Sequence, residues 1–206
     1  MRLLQNGEKA MLNKKRETLE TKIDVSLIDR IGKNKNLPQG EIDTGIGFFN
    51  HMLTLLAFHS NLYLSVIADG DIEVDFHHTV EDTGIVFGEL IYQLYQSKES
   101  FQRYGSFYLP MDEALARVTL DLSGRPGLYF DCQFSSEKVG NFDTELVKEF
   151  FNAVAMNAKM TLHIDLLKNG NSHHEIEAIF KAFGRSLVMA LEKSDRGIPS
   201  SKGVIA

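Results

Sequence analysis

The chain has 206 residues, of which 43% are hydrophobic and 24% are charged, a composition that indicates a globular protein with one domain or two small ones. Its net charge of −6 argues against a general nucleic-acid binder, because such proteins carry a basic stripe. The single cysteine excludes an internal disulfide and is typical of a reducing compartment.

The first half of the chain begins with residues 1–17, which are predicted to form a flexible tail. This segment is polar and lacks the apolar stretch of a secretory signal, so we expect a cytoplasmic protein. Residues 46–68 are the most apolar region, but polar side chains interrupt them, so no membrane span is predicted. Periodicity and turn residues predict a strand at 18–30, a loop at 32–40, a helix at 46–59, a strand at 62–68, a hairpin-type turn at 69–71 and a helix at 79–97.

The second half repeats this order. Its predicted elements are one or two strands within 105–122 with a kink at Pro110, a strand at 128–134, a helix at 142–159 capped by Asp143 or Thr144, a strand at 160–167 and a helix that ends near Glu192. Cys132 is predicted to be a packed thiol, and His163 a buried, hydrogen-bonded side chain.

Each half thus contains strands, a helix, a strand and a helix. This order predicts an α+β fold of two tandem split β-α-β units, with helices on one face of a mixed sheet. The pseudo-repeats cover about residues 18–98 and 105–192, and the short linker between them predicts that they pack as a single domain over 18–206.

A duplicated histidine motif lies at the start of the last helix of each half. His77, His78 and Glu81 recur at the same spacing as His173, His174 and Glu177, and the same register pairs Gly88 with Gly184. Adjacent helical residues diverge by about 100°, whereas residues three apart lie on nearly one face. We therefore expect His78 to share an ion with Glu81, and His174 with Glu177, while His77 and His173 serve other ions. The alternative is two solvated helix ends.

Imidazole and carboxylate ligands suit Mn, Fe, Zn or Ni, and no thiolate is available to select zinc. The first helix of each half offers one further ligand. His51 follows Phe48-Phe49-Asn50, and the matching helix carries Phe150-Phe151-Asn152. Aligning these triplets places Ala153 opposite His51, whereas aligning by distance to the histidine pair places Glu149 there. Only Glu149 can bind a metal. The alternative for His51 and Glu149 is an ordinary surface position.

Taken together, these motifs resemble imidazoleglycerol-phosphate dehydratase of histidine biosynthesis. The resemblance extends from about Thr18 to the C-terminus. The matching runs are Glu20-Thr21 and residues 48–53, 77–82, 110–115, 123–126, 162–164, 171–182 and 199–203.

The resemblance implies a fold like ribosomal protein S5 domain 2 and a shell of 24 identical subunits, with two Mn²⁺ per chain at the subunit contacts. It implies a carbon–oxygen lyase that converts D-erythro-imidazole-glycerol phosphate to imidazole acetol phosphate, with no nucleic-acid or membrane partner. The implied metal ligands are His51, His77, His78, Glu81, Glu149, His173, His174 and Glu177. Many relatives have histidine at the position of Glu149.

The implied chemistry begins at the imidazole ring. Metals on both ring nitrogens would stabilise an imidazolate that expels the adjacent hydroxyl through a diazafulvene-like intermediate. A carboxylate near the glycerol arm must take the side-chain proton. Glu20 is the first candidate and Glu177 the second, and the catalytic set is Glu20, Glu177, His78 and His174. An exposed strand position is the alternative for Glu20.

Substrate binding is expected from Glu20 and His59, and His59 could instead only stabilise the end of its helix. The implied phosphate-binding residues are Arg103, Arg125, Ser200, Ser201 and Lys202. Two other functions fit the motifs, a metal-binding shell protein without catalysis and a metal-dependent hydrolase that uses a metal-bound water.

Overall fold

The computed structural model describes residues 11–31, 39–195 and 197–199. The first half contains β1 (Leu12–Glu17), β2 (Thr21–Asp29), β3 (Ile42–Asp43), α1 (Gly47–Ser60), β4 (Leu62–Gly70) and α2 (His77–Gln96). The second half contains β5 (Tyr104–Met111), β6 (Ala114–Asp121), β7 (Gly127–Asp131), β8 (Lys138–Val139), β9 (Phe142–Asp143), α3 (Glu145–Asn157), β10 (Thr161–Lys168) and α4 (Ser172–Leu191).

Each half forms one four-stranded mixed sheet, and the strand order is equivalent in both. The first sheet has the order β1-β2-β4-β3, and the second has the order β5-β6-β10-β7. The first three strands of each sheet are antiparallel, and the last strand, β3 or β7, runs parallel to its neighbour. The sheets confirm the predicted α+β class and the predicted duplication.

The helices pack between the two sheets. The first sheet carries α1 and α2 on one face, and the second carries α3 and α4. Contacts of α2 with α3 and of α1 with α4 then join the halves, and the buried side chains of both halves form one cluster. Alternation places Ile23, Val25 and Leu27 of β2 in this cluster. None of the helices in the described ranges is long and apolar enough to cross a membrane.

Several predicted boundaries differ from the structure. Residues 12–17 were predicted as part of a flexible tail, but they form β1, which pairs antiparallel with β2. The helix predicted from Thr79 begins at His77, and β4 continues to Gly70 where a hairpin turn was expected. The strand predicted over 128–134 ends at Asp131. The helix predicted from Phe142 begins at Glu145, because Phe142 and Asp143 pair with β8.

The other local predictions have mixed outcomes. Thr144 is the N-cap of α3, but its hydroxyl donates to the carbonyls of Ser136 and Glu137 and caps no helical N–H group. Pro110 causes no break in the pairing register of β5, which is an edge strand and tolerates the missing donor. Cys132 is packed as predicted, and burial raises the pKa of its thiol to about 12. The prediction for His163 is wrong, since its ring is exposed and stacks on Tyr129 at 4.4 Å between centroids.

The two equivalent glycines, Gly88 and Gly184, lie where the halves meet. A Cβ atom on Gly88 of α2 would lie 2.7 Å from the carbonyl oxygen of Val154 in α3. A Cβ atom on Gly184 of α4 would lie 2.9 Å from the backbone nitrogen of Ser60 in α1. Both glycines therefore allow a helix of one half to approach the backbone of the other half.

Replacing Gly88 with alanine is expected to lower the free energy of unfolding by about 1–3 kcal/mol, because the added methyl group meets backbone that cannot move away freely. This loss outweighs the gain of about 1 kcal/mol in helix propensity. Urea denaturation measures the change. Gly47→Ala is the matched control, because a Cβ atom at Gly47 meets nothing within 4 Å. Equal stability of the two variants would contradict the proposed close approach.

Candidate metal centre

Both histidine pairs occupy the first turn of a helix. In α4, the Asn171 side chain accepts a hydrogen bond from the backbone N–H of His173 at 2.9 Å. In α2, the Asp75 carboxylate accepts one from the backbone N–H of His77 at 2.7 Å. An oxygen-bearing side chain two residues earlier thus caps a backbone N–H group at the start of each helix.

One cluster of potential metal ligands brings together α1 and α4. The Nε2 atoms of His51 and His173 lie 2.9 Å and 3.1 Å from Oε1 of Glu177. The three side chains offer ligand atoms that all lie within 4.8 Å of one another. Two imidazoles and one carboxylate at this spacing form a donor set that suits a divalent transition metal.

Glu177 is held in its ionised form. Burial alone would raise the pKa of this carboxyl group, but hydrogen bonds from Lys181 and His51 outweigh burial and hold the pKa at about 2. Lys181 donates to Oε2, while His51 and His173 contact Oε1. A buried carboxylate with this lowered pKa is suited to binding a metal.

The equivalent contact recurs in α2, where Nε2 of His77 lies 3.9 Å from Oε2 of Glu81. In both helices the glutamate therefore contacts the first histidine of the pair, four residues before it. These contacts differ from the predicted sharing of an ion by Glu81 with His78 and by Glu177 with His174, which stays a prediction. Residues four apart differ by about 40° around a helix and residues three apart by about 60°, so the i,i+4 contact is favoured.

The second histidine of each pair points away from the first, as predicted. The rings of His77 and His78 are 6.1 Å apart and inclined at 82°, and those of His173 and His174 are 6.2 Å apart and inclined at 77°. His78 and His174 turn instead towards carboxylates in loops at the end of each sheet.

Each second histidine contacts these carboxylates through Nδ1. Nδ1 of His78 lies 3.0 Å from Oδ2 of Asp71 and 3.8 Å from Oε2 of Glu20. The hydrogen bond to Asp71 raises the pKa of His78. The structure therefore brings the predicted base Glu20 to a predicted metal ligand.

In the second half, Nδ1 of His174 lies 3.2 Å from Oε2 of Glu113 and 3.8 Å from Oδ2 of Asp112. A backbone hydrogen bond from Asn171 and the contact with His174 lower the pKa of Glu113 to about 2. Sequence reasoning missed Asp71 and Glu113. Glu113 lies in the run 110–115, for which the sequence predicts no role, and Asp71 lies in the predicted turn at 69–71.

Glu149 joins neither of the two potential ligand groups found among the described residues, which are His51 with His173 and Glu177, and Asp112 with Glu113 and His174. It is half-buried on α3 and lines an open cleft with Ser135, Thr144 and Lys148. Within one chain, the structure does not bring it to the other predicted ligands.

His59 lies in the last turn of α1 and lines a separate cleft with Arg30 and Arg185. Burial, followed by the positive charges of Lys181 and Arg185, lowers the pKa of His59. The lowered pKa favours the neutral ring, which can accept as well as donate a hydrogen bond.

Two of the predicted phosphate-binding residues converge on Asp121. Arg103 is buried and donates to both oxygens of Asp121, at 2.6 Å and 3.0 Å. Its Nη1 donates to the carbonyl oxygen of Pro199 at 2.9 Å, which places the last described residue beside it. Arg125 is 60% exposed, with Nη2 3.7 Å from Asp121. Ser200, Ser201 and Lys202 lie outside the described residues.

The fold and the site define a duplicated α+β protein whose histidine–carboxylate clusters suit transition metals. A family model described as imidazoleglycerol-phosphate dehydratase matches residues 44–187. Enzymes of that name from Staphylococcus carnosus (strain TM300) and Staphylococcus aureus (strain JH9) are 58% and 55% identical to this chain over 193 residues. In both cases the match covers 93% of this chain and 97% of the relative.

Solved structures of the same family share the fold. The crystal structure of imidazoleglycerol-phosphate dehydratase from Staphylococcus aureus subsp. aureus N315 matches with a TM-score of 0.79 and 50% identity, covering 90% of this chain and 100% of that chain. The Pyrococcus furiosus structure in complex with (S)-C348 matches with a TM-score of 0.79 and 36% identity, over 93% and 99% of the two chains. The chain belongs to the imidazoleglycerol-phosphate dehydratase family of hydro-lyases in histidine biosynthesis.

Proposed function

We propose that this chain carries out the metal-dependent dehydration of D-erythro-imidazole-glycerol phosphate to imidazole acetol phosphate, in the cytoplasm and with two Mn²⁺ per chain. The observation that carries the proposal is the convergence of His51, His173 and Glu177 in a chain of this family. The single cysteine, Cys132, supports a reducing location.

The residues fit manganese, because imidazole and carboxylate oxygen are both suitable ligands and Cys132 belongs to neither ligand group. His51, His173 and Glu177 would hold one ion, and His77 and Glu81 would hold the other. His78, His174 and Glu149 would complete the two sets from neighbouring chains. Bound manganese would supply Lewis-acid stabilisation of negative charge on the imidazole ring of the substrate.

Glu20 is the residue that we propose as the base for the side-chain proton. Its carboxylate is 55% exposed and lies 3.8 Å from Nδ1 of His78. It can therefore reach a substrate whose ring lies at the metal centre. His59, on the last turn of α1, would contact the substrate as a neutral ring.

The two arginines near Asp121 would have different roles in holding the phosphate. Arg125 keeps most of its guanidinium exposed and offers a planar fork to phosphate oxygens. Arg103 donates three hydrogen bonds to Asp121 and Pro199. Its main role would therefore be to orient the segment that leads to Ser200, Ser201 and Lys202. The exposed arginine and that segment would bind the phosphate together.

We also propose that the chain assembles into a shell of 24 subunits. Within one chain each ion would lack some of its ligands, since the second histidine of each pair faces away from the first. Some large apolar side chains are exposed, and a subunit contact would cover them. Val74, on the loop before α2, is 67% exposed, and Phe58, near the end of α1, is 70% exposed.

A direct assay of apo and manganese-loaded protein on imidazole-glycerol phosphate tests the function. We expect about two ions per chain after loading, turnover that a chelator abolishes, and inhibition by a triazole phosphonate, because a triazole resembles the deprotonated ring. Metal uptake without turnover would indicate a binding protein. Turnover that ignores the chelator would contradict the metal dependence.

A further inference from the structure

We propose that Asp71 and Glu113 are positioning residues, one in each half, that orient His78 and His174 so that Nε2 of each ring faces a metal ion. The inference rests on the proposed function, because it assumes that both histidines bind metal. Neither carboxylate was among the expected ligands or catalytic residues.

The geometry is the same in both halves. Both oxygens of Asp71 lie 3.0–3.2 Å from Nδ1 of His78, and both oxygens of Glu113 lie 3.2–3.3 Å from Nδ1 of His174. In each ring the carboxylate therefore takes Nδ1, and Nε2 remains as the nitrogen that can bind a metal.

A carboxylate at this position has a chemical effect on the ring. A neutral imidazole carries its proton on one nitrogen and offers the other as an acceptor. An anionic acceptor at Nδ1 fixes the proton there, leaves the lone pair on Nε2 and makes that nitrogen a better ligand. The same contact fixes the plane of the ring, so the ligand nitrogen is already oriented before the metal binds.

Glu113 is itself held in place. Its Oε1 accepts a hydrogen bond from the backbone N–H of Asn171 at 2.5 Å, and Asn171 caps the helix that carries His174. Gly170 leaves the space for this contact, since a Cβ atom there would lie 2.2 Å from Cγ of Glu113. The carboxylate, the helix start and the histidine therefore form one fixed unit.

The two carboxylates come from different loops. Glu113 lies in the β5–β6 turn, whereas Asp71 directly follows β4. The β1–β2 turn, which corresponds to the β5–β6 turn, carries Glu20 at the longer distance of 3.8 Å from His78. With Asp71 already on Nδ1, Glu20 is not needed to orient the ring. The same contact built from unlike loops argues for a shared task, and it leaves Glu20 available as the base.

In the competing interpretation, an ion binds directly to three residues, Asp112, Glu113 and His174. Their potential ligand atoms lie within 4.8 Å of one another. The substitution Glu113→Gln distinguishes the two interpretations. The glutamine amide oxygen still accepts from Nδ1–H, but it is a much poorer metal ligand than a carboxylate.

The experiment measures Mn²⁺ affinity by titration, with electron paramagnetic resonance of the free ion, for Glu113→Ala, Glu113→Gln, Asp71→Ala and Asp71→Asn. We expect the alanine variants to bind about 10–100-fold more weakly than the original protein, and the amide variants to recover most of the affinity. The controls on the same loops are Asp112→Asn and Glu73→Gln, and both variants should bind Mn²⁺ with unchanged affinity. Asparagine is chosen at position 112 because it tolerates the positive φ of 47° there.

Three results would overturn the inference. If Glu113→Gln lost as much affinity as Glu113→Ala, Glu113 would be a ligand. Undiminished affinity in both alanine variants would show that neither carboxylate orients its histidine. If the unchanged protein bound no Mn²⁺, the proposed metal-dependent function would fail together with the inference, whereas the first two results leave that function intact.

Discussion

Replacing Glu20 with glutamine is expected to lower kcat by about 10²–10⁴-fold while the metal content stays unchanged, because the variant loses the proposed base but no proposed ligand. Glu20 lies in the β1–β2 turn, where the hydroxyl of Thr18 accepts a hydrogen bond from its backbone N–H at 3.1 Å. The backbone is therefore held, while the carboxylate remains exposed at 55%.

The other carboxylates of the site are less suited to accept a proton. Lys181, His51 and His173 contact the two oxygens of Glu177, so its lone pairs are engaged. Glu113 accepts from Asn171 and faces His174. A carboxylate that moves protons must be reachable and weakly engaged, and among these three only Glu20 meets both conditions.

Steady-state kinetics and elemental analysis of the manganese-loaded variant test this assignment. Glu17→Gln is the control on the same hairpin. Glu17 is exposed and contacts Lys22 at 3.5 Å on the surface, so its substitution should change kcat little. If Glu20→Gln turned over normally, another group would be the base. If it lost metal, Glu20 would belong to the metal centre.

Much of the fold was predictable because the apolar residues follow clear periods. The alternation in β2 and the helical apolar faces of α2 and α4 gave the correct elements and their duplication. β1 was missed because its residues, Leu12–Glu17, are mostly charged or polar. It is an edge strand with an exposed face, and charges on such strands hide the alternation while discouraging aggregation.

The candidate site was predictable in its residue types but not in its pairings. The repeated His-His-x-x-Glu motif identifies ligands on one helix, yet a difference of about 20° around the helix decides between the i,i+3 and i,i+4 contacts. The contact of Asp71 with His78 crosses an irregular loop of the first half, and the contact of Glu113 with His174 joins a turn to a helix 61 residues later. The periodicity of the sequence does not indicate such contacts, so the positions of these carboxylates are known only from the folded structure.

The arrangement of the histidines also predicts how metal and assembly are linked. Among the described residues, the cluster of His51, His173 and Glu177 offers three ligands, and the contact of His77 with Glu81 offers two more. Divalent transition metals in proteins take at least four ligands, so an ion at either of these positions would need further groups. His78 and His174 point away from these clusters and are available to a neighbouring chain.

We therefore expect the apo protein to be a small species that grows into a far larger particle when Mn²⁺ is added. A ligand that binds only the assembled state stabilises that state by about 2.7 kcal/mol at a hundredfold excess over its dissociation constant. The effect should fade below the pKa of free histidine, because a protonated imidazole cannot bind a metal. Size-exclusion chromatography with light scattering measures the particle.

His77→Ala and His173→Ala should each block this growth, since each removes a ligand from a different ion. His163→Ala is the matched control, because it removes an exposed histidine that belongs to neither ligand group. If His173→Ala alone blocked growth, only the ion at His51, His173 and Glu177 would join subunits. A particle of one size that ignored metal and both substitutions would show that apolar contacts hold the subunits together, and the ions would then have a catalytic task alone.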